Sequence, residues 1–74
     1  MSKQLKQFQA RAREVARSGK FYGWPPLAFE LSFEEGFSEA REWVYSAAAR
    51  EELDRVCKEA RKRLYARNST HEAA

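Results

Sequence analysis

The segment LAFELSF, residues 27–33, decides what this chain can fold into. Leu27, Phe29, Leu31 and Phe33 alternate along it, with the period of a half-buried strand. A strand must find partners for its backbone N–H and C=O groups, and no other segment offers a convincing one. The same residues fit a helix, with Leu27 and Leu31 on one side and Phe29 and Phe33 on the other. Helix is the expectation, and with it an all-α fold. Apolar on two faces, this helix is expected to lie between others.

The flanking segments agree. Leu5, Phe8, Ala12, Val15 and Ala16 recur at helical spacing and predict a first helix from Lys3 to Ser18. Gly19 follows the last periodic residue and suits a left-handed cap. GKFYGW is then a connection, bracketed by Gly19 and Gly23. A residue before proline is pushed out of the helical region, which predicts extended Trp24 and Pro25 and a helix beginning at Pro26. Gly36 is expected to end this second helix, and Ser38 to cap the third. Ala40, Trp43, Val44 and Ala47 form the third helix's apolar stripe.

Leu53, Val56, Cys57, Ala60 and Leu64 form the last stripe. On one continuous helix it would be rotated by more than about 120° from the stripe before it. A break near Ser46, which can cap a new helix, removes the conflict. The last helix is expected to run to about Tyr65, and the small polar stretch Asn68–Ala74 to be a frayed tail. The expectation is one helical domain over residues 1–67, a compact bundle of three or four helices. Its predicted core is Leu5, Phe8, Val15, Trp24, Leu27, Leu31, Phe37, Trp43, Val44, Leu53, Val56 and Cys57. Eight of the ten aromatics lie between Phe21 and Tyr45, which centres that core on the middle of the chain.

Charge is segregated. Residues 1–24 sum to +5, residues 25–54 to −6 and residues 55–74 to +4, a total of +3. One reading is complementarity between packed helices. The other is an anion-binding face built from the basic ends. Lys6, Arg13 and Arg17 fall on one side of the first helix, away from its apolar stripe, and Arg61 and Lys62 of the last helix could join them. Much of the last helix also has local partners, because Glu51–Arg55, Asp54–Lys58 and Glu59–Arg63 are i,i+4 pairs in the favourable order.

Other chemistry is thinly represented. LSFEEGFSEAREW, residues 31–43, has the outline of a helix-turn-helix, but its second helix carries Glu39 and Glu42 beside a single Arg41. Acids there would repel phosphates, so the segment reads as a folding corner. Glu30, Glu34 and Glu35 cluster, but they lack calcium-loop spacing and are expected to solvate a helix edge or accept from arginines. Cys57 sits on an apolar stripe and reads as a small core residue, while His71, in the tail, is no obvious base for it. No phosphate loop, dinucleotide fingerprint, zinc spacing or serine–histidine pair is present, so neither an enzyme nor a cofactor or metal site is expected. One cysteine allows no internal disulfide, and no apolar run approaches membrane-spanning length or a secretion signal. A cytoplasmic protein follows as the expectation. Of Phe21 and Tyr22, one is expected to plug the core, and the other to stay exposed beside Trp24-Pro25-Pro26 as a contact for a partner.

The block from Ala12 to Ala60, about two-thirds of the chain, resembles a family of short uncharacterised proteobacterial helical proteins. The likeness is carried by ARAREVARSGK, Trp24, ELSFEEGFSEAREW and REELDRVCKEAR. The resemblance implies a small cytosolic helical protein of unknown function, with no catalytic or binding residues to carry over. The family has a helix-breaking proline near the positions of Ser46 to Ala48, and this sequence departs from it there. Taken together, the expectation is a non-enzymatic protein-interaction module that binds a protein partner or self-associates. The alternative is a nucleic-acid-binding protein using Lys6, Arg13, Arg17, Arg61 and Lys62. No membrane contact and no small-molecule substrate are inferred.

Overall fold

The computed structural model describes residues 3–73, with side chains described for residues 3–66. Four helices follow one another: α1 (Lys3–Arg17), α2 (Trp24–Leu31), α3 (Phe37–Val44) and α4 (Ala47–Ala73). No strand occurs among the described residues, so LAFELSF is helical through Leu31 and turns from Ser32 onward. Arg13 of α1 meets Glu52 of α4, and Gly19 meets Arg61 and Leu64. The two long helices therefore run in the same general direction. The short helices α2 and α3 close the bundle against them.

The innermost layer is made of small and medium side chains. Ala12, Ala16, Leu27, Leu31, Ala40, Val44, Leu53 and Cys57 are fully buried. Alanines on facing helices let the axes approach closely. The expected core members Leu5, Val15, Trp24, Phe37, Trp43 and Val56 pack around this layer and stay partly exposed. A chain of 8.6 kDa has few fully interior positions, so its large side chains span from centre to surface.

Helix α2 begins two residues earlier than the prolines suggest, with Trp24 and Pro25 helical instead of extended. The reason lies in the donors of its first turn. Pro25 and Pro26 have no N–H to satisfy, and the Leu27 N–H donates to the Gly23 carbonyl at 3.4 Å. The remaining donor, the Trp24 N–H, reaches the Asp54 carboxylate of α4 at 2.8 Å. Gly23 makes this possible, because a Cβ there would stand 2.6 Å from Asp54 Oδ1.

At its other end α2 stops at Leu31, five residues before Gly36. The Ser32 hydroxyl turns back to donate to the Phe29 carbonyl at 2.5 Å. Residues 32–36 form a turn, and Gly36, with φ of 87°, is the N-cap of α3. Ser38 is thus inside α3 and makes no cap bond; the Gly36 carbonyl accepts from Glu39 and Ala40 instead. The break between α3 and α4 lies at Tyr45-Ser46, as the two rotated stripes require. Ser46 makes it without a proline: its hydroxyl accepts from the Ala49 N–H at 3.2 Å and donates to the Trp43 carbonyl at 2.6 Å.

Helix α4 continues beyond Tyr65, where its apolar stripe ends, because no glycine or proline interrupts the backbone there. The expected tail, Asn68–Ala74, and His71 lie outside the described side chains. Gly19, with φ of 79°, takes the left-handed position after α1, one residue beyond Ser18, which already leaves the helix.

Candidate interaction surface

Helix α2 buries one face only. Leu27, Ala28 and Leu31 face the core, while Phe29 of the helix and Phe33 of the turn that follows it stand 68% and 71% exposed. This corrects the expectation that both apolar faces of the segment are covered. The two rings touch edge to face, with centroids 5.2 Å apart. Glu30 and Glu35 are exposed nearby in sequence, and Glu34 bridges to Arg11 at 3.4 Å. The carboxylate cluster is thus a solvated edge with one arginine partner.

The connection before α2 divides as expected. Phe21 packs against the core, and Tyr22 is 65% exposed. Trp24 is the hinge pin of this corner. Its indole N–H donates to the Val44 carbonyl at 3.1 Å, the Tyr45 ring meets it edge-on at 5.4 Å, and the Arg50 guanidinium lies 4.6 Å over its face. These contacts tie α2, the end of α3 and the start of α4 together. They leave Tyr45 half exposed beside the corner.

The five basic residues of the anion-face reading divide into two groups. Arg13 holds Glu52 through two hydrogen bonds, at 2.6 and 3.2 Å, and lies 5.6 Å over the Trp43 ring. The paired guanidinium, chiefly through its hydrogen bond, holds the Glu52 carboxyl below the usual range. Arg61 donates to the Gly19 carbonyl at 3.1 Å and so satisfies an acceptor at the end of α1. Lys6, Arg17 and Lys62 are exposed, with no ion pair among the described residues. Of the three local pairs on α4, only Asp54–Lys58 closes, at 2.7 Å. Glu51–Arg55 and Glu59–Arg63 stay apart, as exposed pairs often do when screening cancels the gain.

The corner that resembles a helix-turn-helix is built for folding. Phe37 and Trp43 of α3 both pack on Phe8 of α1, at ring distances of 6.2 and 6.5 Å. Cys57 is fully buried, and its thiol is pushed up first by burial and then by the charge of Asp54. That opposes thiolate formation. Among the described residues no group of three acidic, histidine or cysteine side chains is placed to hold a metal ion, and no helix is long and apolar enough to cross a membrane.

Periodicity shows that α2 has two apolar sides but not which one the bundle covers. The exposed side is Phe29 on the helix, continued by Phe33 in the turn beyond it. Comparison with known proteins gives no match, since no family model, curated protein or solved structure is significantly similar to the chain.

Proposed function

We propose that the chain is a non-enzymatic protein-interaction module whose contact surface is the outer face of α2. The observation that carries this reading is the pair Phe29–Phe33, two large apolar side chains in mutual contact and each left about 70% in water. Covering a phenylalanine ring removes on the order of 150–250 Å² from water, worth a few kcal/mol at about 25 cal/mol per Å². A folded monomer forgoes that gain, and a partner recovers it. Tyr22 and Tyr45 extend the supply of exposed aromatic surface near the same helix.

The test replaces the rings and leaves the core alone. Phe29→Ser with Phe33→Ser should keep the helical circular-dichroism spectrum and lose whatever protein the wild-type chain binds in solution. Equal binding by both proteins, or none by the wild type, would sink the reading. A bacterial cytoplasmic setting, and kinship with the short proteobacterial proteins named above, belong to the same proposal.

A second reading, nucleic-acid binding by the basic ends, is favoured by the exposure of Lys6, Arg17 and Lys62. Arg13 and Arg61 weigh against it, because both guanidinium groups already serve internal partners. DNA and RNA titrations at two salt concentrations decide it, since phosphate contacts strengthen steeply as salt falls. No binding at the lower concentration would end it.

A further inference from the structure

We infer that the partner of the α2 face is the basic strip of α4 in a second copy of this chain, docked reciprocally to make a closed dimer. The inference rests on the interaction-module reading and names its partner. Three observations carry it: charge, placement and area.

The charge beside the rings is mainly acidic, with Arg11 bridged to Glu34. Residues 25–40 hold Glu30, Glu34, Glu35 and Glu39 and no base. Residues 55–65 hold Arg55, Lys58, Arg61, Lys62 and Arg63 against Glu59 alone. Two α2 faces meeting each other would set acids against acids, whereas α2 on α4 sets acids against bases. The basic strip also has an apolar anchor. Tyr65 is 67% exposed and Leu64 42%.

Placement sets the basic strip beyond the start of α2. Asp54 of α4 holds the start of α2 through the Trp24 N–H. Lys58, Lys62 and Tyr65 follow Asp54 by four, eight and eleven positions, so they continue the same side of α4 beyond the start of α2. The result is a step, α2, beside a ledge, the later turns of α4. A shallow hollow of about 410 Å³ at the foot of the step, lined in part by Trp24, Pro25 and Asp54, gives way to one of about 520 Å³ along the ledge, lined in part by Arg55, Lys58 and Lys62. Glu51 and Glu59 also border the second hollow, and Lys58 is bridged to Asp54, so Arg55 and Lys62 are its unpaired cations among the described residues. Step and ledge are offset along the molecule's long axis, which favours contact between copies over contact within one.

Area favours two contacts over one. Three aromatic rings two-thirds exposed, with Leu64, offer on the order of 400–500 Å² per chain, taking about 150–250 Å² for each ring. A single step-on-ledge contact falls short of the roughly 1,200 Å² of a stable interface, whereas the doubled contact with its charged rims approaches it. A two-fold arrangement uses both faces of both copies and leaves no open end.

Sedimentation of four samples tests this. The wild type should show twice the chain mass at low salt. Its dissociation constant should rise at least about tenfold at 1 M salt, where the screening length is about 3 Å. Glu30→Lys with Glu35→Lys should be monomeric, and so should Arg55→Glu with Lys62→Glu. An equimolar mixture of these two variants should recover the dimer, because each then meets a complementary face twice. A monomeric wild type, a dimer indifferent to both charge variants, a mixture that stays monomeric, or species that grow without limit would each overturn the inference. Should a variant lose its helical spectrum, the salt dependence of the wild type decides. A monomeric wild type that still binds another protein through Phe29 and Phe33 would remove the dimer and leave the interaction module standing. Loss of both would remove the two together.

Discussion

Asp54 serves two partners with one carboxylate. Oδ1 accepts from the Trp24 N–H at 2.8 Å, and Oδ2 accepts from the Lys58 ammonium at 2.7 Å. Lys58 first and the Trp24 N–H second hold its carboxyl below the ordinary aspartate range. A group whose pKa is lower folded than unfolded stabilises the fold above its unfolded value, about 3.9, and loses that contribution as pH falls through the folded value. Glu52, held down by Arg13, has the same sign. Stability should therefore be level near neutral pH and fall below about pH 4. Asp54→Ala should cost about 1 kcal/mol at pH 7, the usual worth of a helix cap, in urea unfolding followed by circular dichroism. Its gap from the wild type should shrink in acid, and a gap that is constant with pH would refute the cap. Gly23→Ala forces its new Cβ against the same carboxylate, so it should destabilise too. The two substitutions combined should cost clearly less than their sum, because both remove one interaction.

The elements were legible where local chemistry sets their limits. Gly19 carries the positive φ that its position suggests, and Ser46 breaks the chain where the apolar stripes disagree. Ser46→Ala should cost 0.5–2 kcal/mol, about the value of a serine cap, and denaturant midpoints for the two proteins measure it. An unchanged midpoint would mean that Ala47–Ala49 can carry α3 into α4 without loss. The start of α2 was not legible, because Trp24 enters the helix on the strength of Asp54, 30 residues away. Its end was missed for a different reason. Gly36 looks like a stop signal, but the chain leaves the helix earlier through the Ser32 hydroxyl, and Gly36 opens the next element instead. Among the proposed site residues, Arg13 and Arg61 illustrate the same limit. Their place on exposed helix sides follows from spacing, whereas their capture by Glu52 and the Gly19 carbonyl depends on how α1 and α4 cross.

Across the whole molecule the large apolar side chains serve two ends. Leu27, Leu31, Val44 and Leu53 are fully buried and hold the monomer, whereas Phe29, Phe33 and Tyr65 contribute little to it. The division gives a contrast that can be measured within one helix and the turn that follows it. Leu31→Ala should cost about 2–5 kcal/mol, through lost burial and the cavity left behind. Phe29→Ser and Phe33→Ser, although they remove more apolar atoms, should each shift the monomer's stability by no more than about 0.5 kcal/mol, as surface substitutions do. Their effect should instead follow protein concentration: a melting temperature that rises with concentration in the wild type should become independent of it in the variants, because association stabilises only the folded chain. A cost of several kcal/mol for Phe29→Ser at high dilution would show that the ring holds the monomer together, and the outer face of α2 would then lose its claim as a contact surface. A melting temperature that follows concentration equally in all three proteins would place the association elsewhere on the bundle.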